Sequence, residues 1–427
     1  MTSPLSNVKV LELAVAIAGP SCAGILADWG ASVTKIEPYG DRSRMQYFQL
    51  NGVDKNKPEQ VSPLFFLDSR GKQSITLDLK NPIEREILDK MFQDTDVFVS
   101  NLREEALKRL HLGSNELLKK YPALVIGRIT GYGRYGPDKD LPAYEPTAAW
   151  ARAGLAESFR SYDNKLPPML AGGFVDHATG LAVAGGISAA LFQKKQTGKG
   201  CVVDGSLMRS GLYLNSWANS YALILNGNHS KHADVRNMTP YSATQPYWGQ
   251  GPLSGFYRTK DKKLIYIKAD TRQKFSNLCK VIGRPDLITD NRFNKTALRR
   301  TNINGKLLYK HFEEAIAKMN MKDLEKGCLE EDIVFAIAQT PEDVMKYDVQ
   351  AKPAIVKIPK SNWHDEVQTI ATPVDFSSHT NGKQIVIKPK GKVPNLGEDT
   401  EEILRNANVS EDVIQLVLKK MLKSSKL

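Results

Sequence analysis

Short apolar runs alternate with longer amphipathic stretches over the first 130 residues. The runs predict β-strands at "VKVLELA", "SVTKIEP", "QSITLDLK", "DVFVSN" and "ALVIGRITG", the last of which closes the series. Between them, helical spacing predicts helices at "PSCAGILADWG", which opens on Pro20, at "NPIEREILDKMFQDT" and at "REEALKRLHLG". Repeated βα units of this length indicate an open, mostly parallel α/β sheet with helices on both faces. Ligands of such sheets bind at the carboxyl ends of the strands.

The pattern changes after residue 225. Two strands joined by a Lys- and Asp-rich turn are predicted at "GFYRTKDKKLIYIK", with helices around "KFSNLCKVIG" and "LYKHFEEAIAKM". Later strand candidates are "IVFAIAQ" and "PAIVKIPK", and the last helices, "DTEEILRNA" and "EDVIQLVLKKML", could return to the first domain. We therefore predict a large Rossmann-like domain over 1–200, completed by about 400–427, a linker over 201–225, a small α+β domain over 226–335, and a return linker over 336–399.

The net charge of the chain favours an anionic small molecule as its binding partner. The 427 residues include 59 basic and 47 acidic side chains, a net charge of +12, which favours anionic partners. The lysines are spread along the chain, and no paired Cys/His motif, aromatic RNA-binding run or basic region with heptads is present. We therefore expect no nucleic-acid partner, and a nucleotide or polyphosphate cofactor accounts for the charge.

The sequence predicts a protein that stays inside the cell. Gly, Lys or Asp break the apolar runs before they reach the length of a bilayer, and the N-terminus lacks the pattern of a secretory signal. The four cysteines lie far apart, with no CxxC and no histidine at metal-ligand spacing, so neither a disulfide framework nor a metal site is expected. We predict a cytoplasmic protein. The C-terminal Ser425-Lys426-Leu427 offers the peroxisome as the alternative in a eukaryote.

One nucleotide-binding motif is rejected by its context. The stretch "GYGRYG", residues 131–136, matches G-x-G-x-x-G, but Pro137 and Pro142 follow it where the fingerprint requires a helix that holds the pyrophosphate. The first βα turn, "AVAIAGPS", carries only Gly19. We therefore expect no NAD. The motifs of serine hydrolases, P-loop proteins and zincins are also missing from the sequence.

The strongest candidate for chemistry is Asp176, which precedes the small-residue stretch "HATGLAVAGGISAAL". Its position is that of a helix N-cap, whose side-chain oxygen accepts a backbone N–H. The partial positive charge of a helix N-terminus would also hold the carboxylate ionised, and an ionised carboxylate is a usable nucleophile toward an activated acyl group. Capping and catalysis are compatible at one residue.

Several motifs in fixed order resemble the class III CoA-transferases, the family of formyl-CoA and carnitine CoA-transferases, whose fold is shared by the α-methylacyl-CoA racemases. The resemblance is carried by "LSNVKVLELAVAIAGPSCAGILADWGASVTKIEP", "RGKQSITLDLKNP", "VSNLREEALKRLHLG", "ITGYGRYGPDKDLPAYEP", "VDHATGLAVAGGISAALFQKKQTGKGCVVDGSLM", "FYRTKDKKLIYI" and "PNLGEDTEEIL". It implies that Asp176 attacks an acyl-CoA thioester, giving a mixed anhydride and then an aspartyl-CoA thioester. Coenzyme A is then a substrate, and no metal or redox cofactor is needed.

The resemblance also implies a coenzyme A groove. The positions that match it are Ile17, Ala18, Leu77, Lys80, Asn101, Leu102, Arg109 and Tyr144. By charge alone, Lys80 and Arg109 suit phosphate groups. Where the formyl-CoA enzyme carries an arginine for the nucleotide, this chain has Pro38, and Arg42 or Arg44 could substitute for it.

The same comparison separates a transferase from a racemase. A racemase needs two acid-base groups, and its branch of the family supplies a histidine where this chain has Tyr144. His177 follows Asp176 but, one position further along a helix, should project in a different direction. We therefore expect a CoA-transferase, with an α-methylacyl-CoA racemase and a non-catalytic CoA-binding protein as the alternatives.

The likeness is greatest to the branch that acts on 2-hydroxy and aryl acids, including phenyllactate. It rests on "ITGYGRYGPDKDLP", "AAWARAGLAESF" and "IVFAIAQTPEDV". Apolar Ile17, Trp150 and Tyr213 would suit an apolar acyl group, although such residues more often serve a core. The family forms interlocked dimers, so the resemblance implies a homodimer here as well.

Overall fold

The computed structural model describes residues 3–41, 62–159, 166–169, 172–224, 253–299, 302–362, 364–380, 383–387 and 391–424. The chain divides into a large unit, Met1–Ala153 with Leu170–Leu214 and Gln350–Leu427, and a small unit, Gly154–Met169 with Asn215–Val349. The domain boundaries expected from the sequence stay predictions, because this division does not show which part folds by itself.

The large unit is built on a six-stranded sheet in the order β3-β2-β1-β4-β5-β6, with every neighbouring pair parallel. The predicted Rossmann-like parallel sheet is thus confirmed. Its strands are β1 Lys9–Leu13, β2 Ser32–Glu37, β3 Lys72–Thr76, β4 Val97–Ser100, β5 Val125–Thr130 and β6 Val202–Ser206. The expectation that β5 closes the series was wrong. The short strand β6, which contains Asp204 and Gly205 and so has a weak strand pattern, pairs with β5.

Helices cover both faces of this sheet. Those of the large unit are α1 Ala18–Asp28, α2 Pro63–Ser69, α3 Pro82–Phe92, α4 Glu104–Arg109, α5 Ser114–Lys120, a π-helix Pro146–Ala151, α7 Phe174–Thr197, α8 Leu207–Leu214, α16 Thr400–Asn406 and α17 Glu411–Ser424. On one face α3, α4, α5, α16 and α17 share a core with strand residues such as Leu11, Ile75 and Ile126. The two C-terminal helices therefore pack on the N-terminal sheet, some 300 residues earlier in sequence.

On the other face, glycines let three helices approach closely. A Cβ at Gly24 of α1 would lie 2.8 Å from the backbone oxygen of Asp68 in α2, and one at Gly180 of α7 would lie 2.8 Å from Ser21 Oγ. The helix α1 thus packs against both α2 and α7. A Cβ added at Gly127 would clash with Ile187, and one added at Gly205 would clash with Val183. Because these glycines have no side chain, α7 also lies directly on β5 and β6.

The small unit has its own core. Its sheet is antiparallel in the order β7-β8-β9, with β7 Ser254–Arg258, β8 Leu264–Lys268 and β9 Val334–Ile337. The helices are α6 Leu155–Ser158, α9 Ser216–Ile224, α10 Arg272–Val281, α11 Asp286–Thr289, α12 Thr296–Arg299, α13 Asn302–Ile316, α14 Met321–Glu330 and α15 Pro341–Tyr347. Buried side chains of β7, β8, α10, α13 and α14 form one cluster.

Four short strands complete the large unit. They form two antiparallel pairs, β10 Ile355–Ile358 with β11 Val367–Ile370 and β12 Phe376–Thr380 with β13 Lys383–Ile387, and a 3-10 helix Lys352–Ala354 precedes them.

Helix α7 is apolar enough, and with 24 residues long enough, to cross a membrane by length and composition alone. Core helices of globular proteins have the same properties. Because α7 packs on β5, β6 and α1, it is a core helix of the large unit, and its composition is weak evidence for a membrane span.

Candidate active site

Asp176 lies in the first turn of α7, at the carboxyl edge of the parallel sheet. The helix begins at Phe174, with Gly173 at the N-cap in a left-handed conformation, φ +97°. Asp176 is therefore the third helical residue. The expectation that Asp176 caps the helix was wrong, because the helix begins two residues before it and Gly173 has no side chain to cap it.

The cap comes instead from Glu145, which immediately precedes the π-helix. Its buried carboxylate accepts the N–H of Gly173 through Oε2 at 2.6 Å and that of Val175 through Oε1 at 2.7 Å. The same side chain is hydrogen-bonded to the Asp176 carboxyl. Glu145 and Asp176 thus form an acid pair, in which the charge of Glu145 opposes ionisation of Asp176.

This environment raises the pKa of Asp176 to about 7. Burial is the largest cause, followed by the charge of Glu145 and the hydrogen bond to it. The expectation that the helix N-terminus keeps Asp176 ionised is therefore corrected, because Glu145 accepts the N–H groups of Gly173 and Val175 and adds a negative charge. Near neutral pH the carboxyl is close to half protonated.

The neighbouring His177 lies in a separate set of contacts, as its helical position predicted. Its Nδ1 is 2.7 Å from the Gly173 oxygen, and its Nε2 is 3.2 Å from Oδ1 of Asp68. Burial lowers the pKa of His177, but the hydrogen bond and charge of Asp68 outweigh it and raise that pKa to about 9. A positive charge thus lies one residue from Asp176.

The first βα turn lies beside the start of α7. Asn101 accepts the Val15 N–H at 2.9 Å and donates to the Val15 oxygen at 2.7 Å. The next residue, Ala16, has φ +61°, which is strained for a residue with a Cβ. A Cβ at Gly173 would lie 3.5 Å from Cδ1 of Ile17, so the turn reaches the N-terminus of α7.

A buried ion triplet supports the same turn from beneath. Glu12 binds Lys35 at 2.8 Å and Lys72 at 2.6 Å, and all three side chains are almost fully buried. The two ammonium groups also donate to the backbone oxygens of Ala14 and Pro20. These contacts hold both ends of the turn in place.

The α1 N-terminus opens onto this turn. Its N-cap residue, Ile17, makes no side-chain hydrogen bond to the first-turn N–H groups, which include those of Ala18 and Gly19. Unpaired N–H groups at a helix N-terminus can stabilise a developing negative charge. In the part of the chain that the structure describes, no group of three His, Cys, Asp or Glu side chains is placed to hold a metal ion.

The model of the family described as "CoA-transferase family III" matches residues 5–400 of this chain. The chain belongs to CoA-transferase family III. It is 32% identical over 416 residues to the (R)-2-hydroxy-4-methylpentanoate CoA-transferase of Clostridioides difficile, covering 96% of this chain and 97% of the relative. It is 31% identical over 421 residues to the cinnamoyl-CoA:phenyllactate CoA-transferase of Clostridium sporogenes, covering 97% and 96%.

Solved structures share the fold of this family III CoA-transferase. The crystal structure of Rv3272 from Mycobacterium tuberculosis aligns with a TM-score of 0.75 at 26% identity, covering 93% of this chain and 98% of that one. A CAIB/BAIF family protein from Brucella suis aligns with a TM-score of 0.73 at 23% identity, covering 95% and 100%, which shows the fold alone. Membership of the family makes the chain an enzyme that uses acyl-CoA.

The residues expected to bind coenzyme A in this transferase follow different strands. Ile17 and Ala18 are buried after β1, Asn101 and Leu102 are partly buried after β4, and Tyr144, after β5, is 72% exposed. The Asn101 side chain is engaged by Val15 through two hydrogen bonds.

The three other residues that are predicted to bind coenzyme A lie in the connections that follow β3 and β4. Leu77 is buried in the core beneath α3, whereas Lys80 in the same loop and Arg109 at the end of α4 are exposed. A part for these two cations in phosphate binding stays a prediction. Arg42 and Arg44, proposed to replace the arginine missing at Pro38, lie outside the described residues.

Sequence reasoning missed two acids of the site. Glu145 follows Tyr144 in "PAYEP". The only sequence feature that could have indicated it is an acid directly before a proline and an apolar stretch. Asp68 carried no signal, because its partner His177 is 109 residues away.

Proposed function

We propose that this enzyme moves coenzyme A from an acyl-CoA thioester to a free carboxylic acid through covalent intermediates on Asp176. The observation that carries the proposal is the acid pair of Asp176 and Glu145, partly buried at the head of α7 beside the first βα turn. A carboxylate that ionises near neutral pH and lies at the carboxyl edge of a parallel sheet is placed to react with a bound thioester.

The chemistry begins with the ionised Asp176. Its oxygen attacks the thioester carbonyl carbon, the carbon–sulfur bond breaks, and coenzyme A leaves as thiolate with the electron pair. The thiolate then attacks the Asp176 carbonyl of the mixed anhydride, which releases the donor acid as carboxylate and leaves an aspartyl-CoA thioester. The acceptor carboxylate repeats the two steps in reverse. Each step exchanges one activated acyl group for another.

Two features of the site support these steps. Glu145 caps α7 through the N–H groups of Gly173 and Val175, which holds Asp176 in place for the attack. The uncapped N–H groups of Ala18 and Gly19 are donors for the oxyanion that develops on the carbonyl oxygen. A turn held by Asn101 and the buried ion triplet keeps these donors in position.

Coenzyme A binding is assigned to the predicted groove residues. Lys80 and Arg109 are surface cations for the phosphates, Leu102 and Tyr144 provide surface for the pantetheine, and the buried Ile17 and Ala18 lie beneath the acyl group. We assign Asn101 and Leu77 an indirect part, because Asn101 holds Val15 and Leu77 is packed in the core.

For the substrates we propose 2-hydroxy or aryl acids. The support is the likeness to relatives whose names specify (R)-2-hydroxy-4-methylpentanoate and cinnamoyl-CoA with phenyllactate. The apolar side chain of Ile17 beside Gly173 suits such acyl groups better than a small dianion. A racemase remains the less supported alternative, because Tyr144 replaces the histidine that such an enzyme needs. A non-catalytic CoA-binding protein does not account for an acid pair at this place.

We also propose a homodimer in the cytoplasm. Large apolar side chains are exposed on α8, where Tyr213 is 80% exposed, and on α9, where Trp217 and Ile224 are 67% and 76% exposed. On each of the two units, such side chains are typical of positions that a second subunit covers. The peroxisomal tripeptide considered above lies outside the described residues and stays a prediction.

The test is a search for the covalent intermediate. The protein is incubated with acyl-CoA donors, including 2-hydroxyisocaproyl-CoA and cinnamoyl-CoA, then digested and analysed by mass spectrometry. We expect a coenzyme A adduct on the peptide that contains Asp176, and its loss together with CoA exchange in Asp176→Ala. Asp343→Ala, which removes a partly exposed acid of the α15 capping box in the small unit, serves as the matched control. Exchange at full rate in Asp176→Ala would refute the proposal.

A further inference from the structure

Both ring nitrogens of His177 face oxygen atoms. The Nδ1 atom is 2.7 Å from the Gly173 carbonyl, which can only accept a hydrogen bond, and Nε2 is 3.2 Å from the Asp68 carboxylate. A neutral imidazole has one N–H and could satisfy only one of these oxygens. A ring that carries both protons and a positive charge donates to both oxygens at once.

Asp68 is built into the fold as the partner of this ring. Its side chain is only 6% exposed, and Oδ2 has no hydrogen-bond partner among the described residues. The missing Cβ of Gly24 lets α2 pack close to α1, and that of Gly180 lets α1 pack close to α7, which brings Asp68 to His177. A buried carboxylate needs opposite charge nearby; the imidazolium supplies it in direct contact, and the charge of Lys72 also interacts with Asp68.

Apart from His177, the charged groups around Asp176 are negative or are paired with other groups. Glu145 and Asp68 both oppose ionisation of Asp176, whereas His177 favours it. On α1, Cys22 is buried with its pKa raised, so the thiol is neutral, and Asp28 is paired with Arg70.

The other elements packed on α7 offer no nearer counter-charge in the described part of the chain. Because Gly127 and Gly205 face α7, the alternation of strand side chains directs the neighbouring Arg128 and Asp204 to the opposite face of the sheet. The guanidinium of Arg128 donates there to the Leu102 oxygen at 2.8 Å. On α8, Arg209 acts on Asp204.

We propose that Asp68 and His177 are a positioning pair, whose imidazolium, fixed by the α7 backbone, supplies the positive charge that balances Glu145 and allows Asp176 to react as a carboxylate. The pair does not touch the substrate. This inference rests on the proposed function, since it assigns the pair a part in the formation of the nucleophile.

The test is the pH dependence of adduct formation in a single turnover. His177→Gln removes the charge and keeps a polar side chain of similar reach. We expect the midpoint of the acidic limb to move up by about one pH unit, so that the rate at pH 6 falls about tenfold while the rate at pH 9 changes little. His111→Gln, which removes an exposed histidine paired with Glu116, is the matched control and should leave the midpoint in place.

Two further measurements separate charge from structure. His177→Lys retains a positive charge, and we expect its midpoint to stay near that of the unaltered protein. Histidine-labelled NMR should show the His177 imidazolium losing its proton at lower pH in Asp68→Asn than in the unaltered protein, which tests the pairing even if the variants at His177 fold poorly.

The outcomes distinguish this inference from the proposed function. If Asp176 forms the adduct but the midpoint of His177→Gln is unchanged, or its rate falls equally at every pH, the pair is structural and the inference is refuted. A His177 titration that is unaffected in Asp68→Asn refutes it as well. Loss of the proposed function would instead appear as exchange without any adduct on Asp176.

Discussion

Replacing Asp176 by Asn should make the protein more stable at alkaline pH while it abolishes catalysis. In the folded protein the pKa of Asp176 is raised from 3.8 to about 7 by burial and by Glu145. Between these values the unfolded chain releases the proton and the folded chain keeps it. The contribution of Asp176 to stability is therefore full below pH 4, decreases as the pH rises, and is lost above pH 7.

The magnitude follows from the size of the shift. Over about two pH units of the range from pH 5 to pH 8, the folded protein holds a proton that the unfolded chain has lost. This difference corresponds to about 2.5 kcal/mol. Asn keeps the shape and cannot ionise. Relative to the Asp176→Asn variant, the unaltered protein should thus lose about 2.5 kcal/mol of unfolding free energy over this range.

The assay is urea unfolding followed by tryptophan fluorescence at pH 5 and pH 8, with both proteins measured in parallel so that titrating groups distant from Asp176 cancel. Asp343→Asn is the control, because a hydrogen bond from Thr340 lowers the pKa of that partly exposed carboxyl, which does not titrate in this range. Equal pH dependence for the unaltered protein and the Asp176→Asn variant would show that Asp176 is ionised throughout, and the reasoning on the acid pair would be wrong.

Three further predictions test the surroundings of Asp176. Glu145→Gln removes the opposing charge, so the acidic limb of the pH–rate profile should move to lower pH; an unchanged limb would contradict the acid pair. Asn101→Ala frees Val15, and we expect kcat to fall about tenfold with little change in KM for the donor, since it is the turn that is displaced. Gly180→Ala should destabilise the fold by about 1–3 kcal/mol in thermal or urea unfolding, because its Cβ meets Ser21, whereas Gly185→Ala, which has open space, should not.

Much of the large unit could be predicted from local patterns. The strands β1 to β5 read as short apolar runs because a parallel sheet covered on both faces buries nearly every strand side chain. Strand β6 was not predicted, because its five residues include Asp204 and Gly205 and only its pairing with β5 defines it. Asp176 was found from the small residues that follow it and from the resemblance of its surroundings to a family.

The sequence by itself determined the parallel sheet, the position of Asp176 and the family of the enzyme, because these depend on neighbouring residues and on motifs in order. Tertiary structure alone decided the charge state of the site. The carboxylate that caps α7 comes from Glu145, 28 residues before Gly173, and the partner of His177 comes from Asp68, 109 residues before it. Burial and charges across such separations set the pKa of Asp176, and no local pattern encodes them.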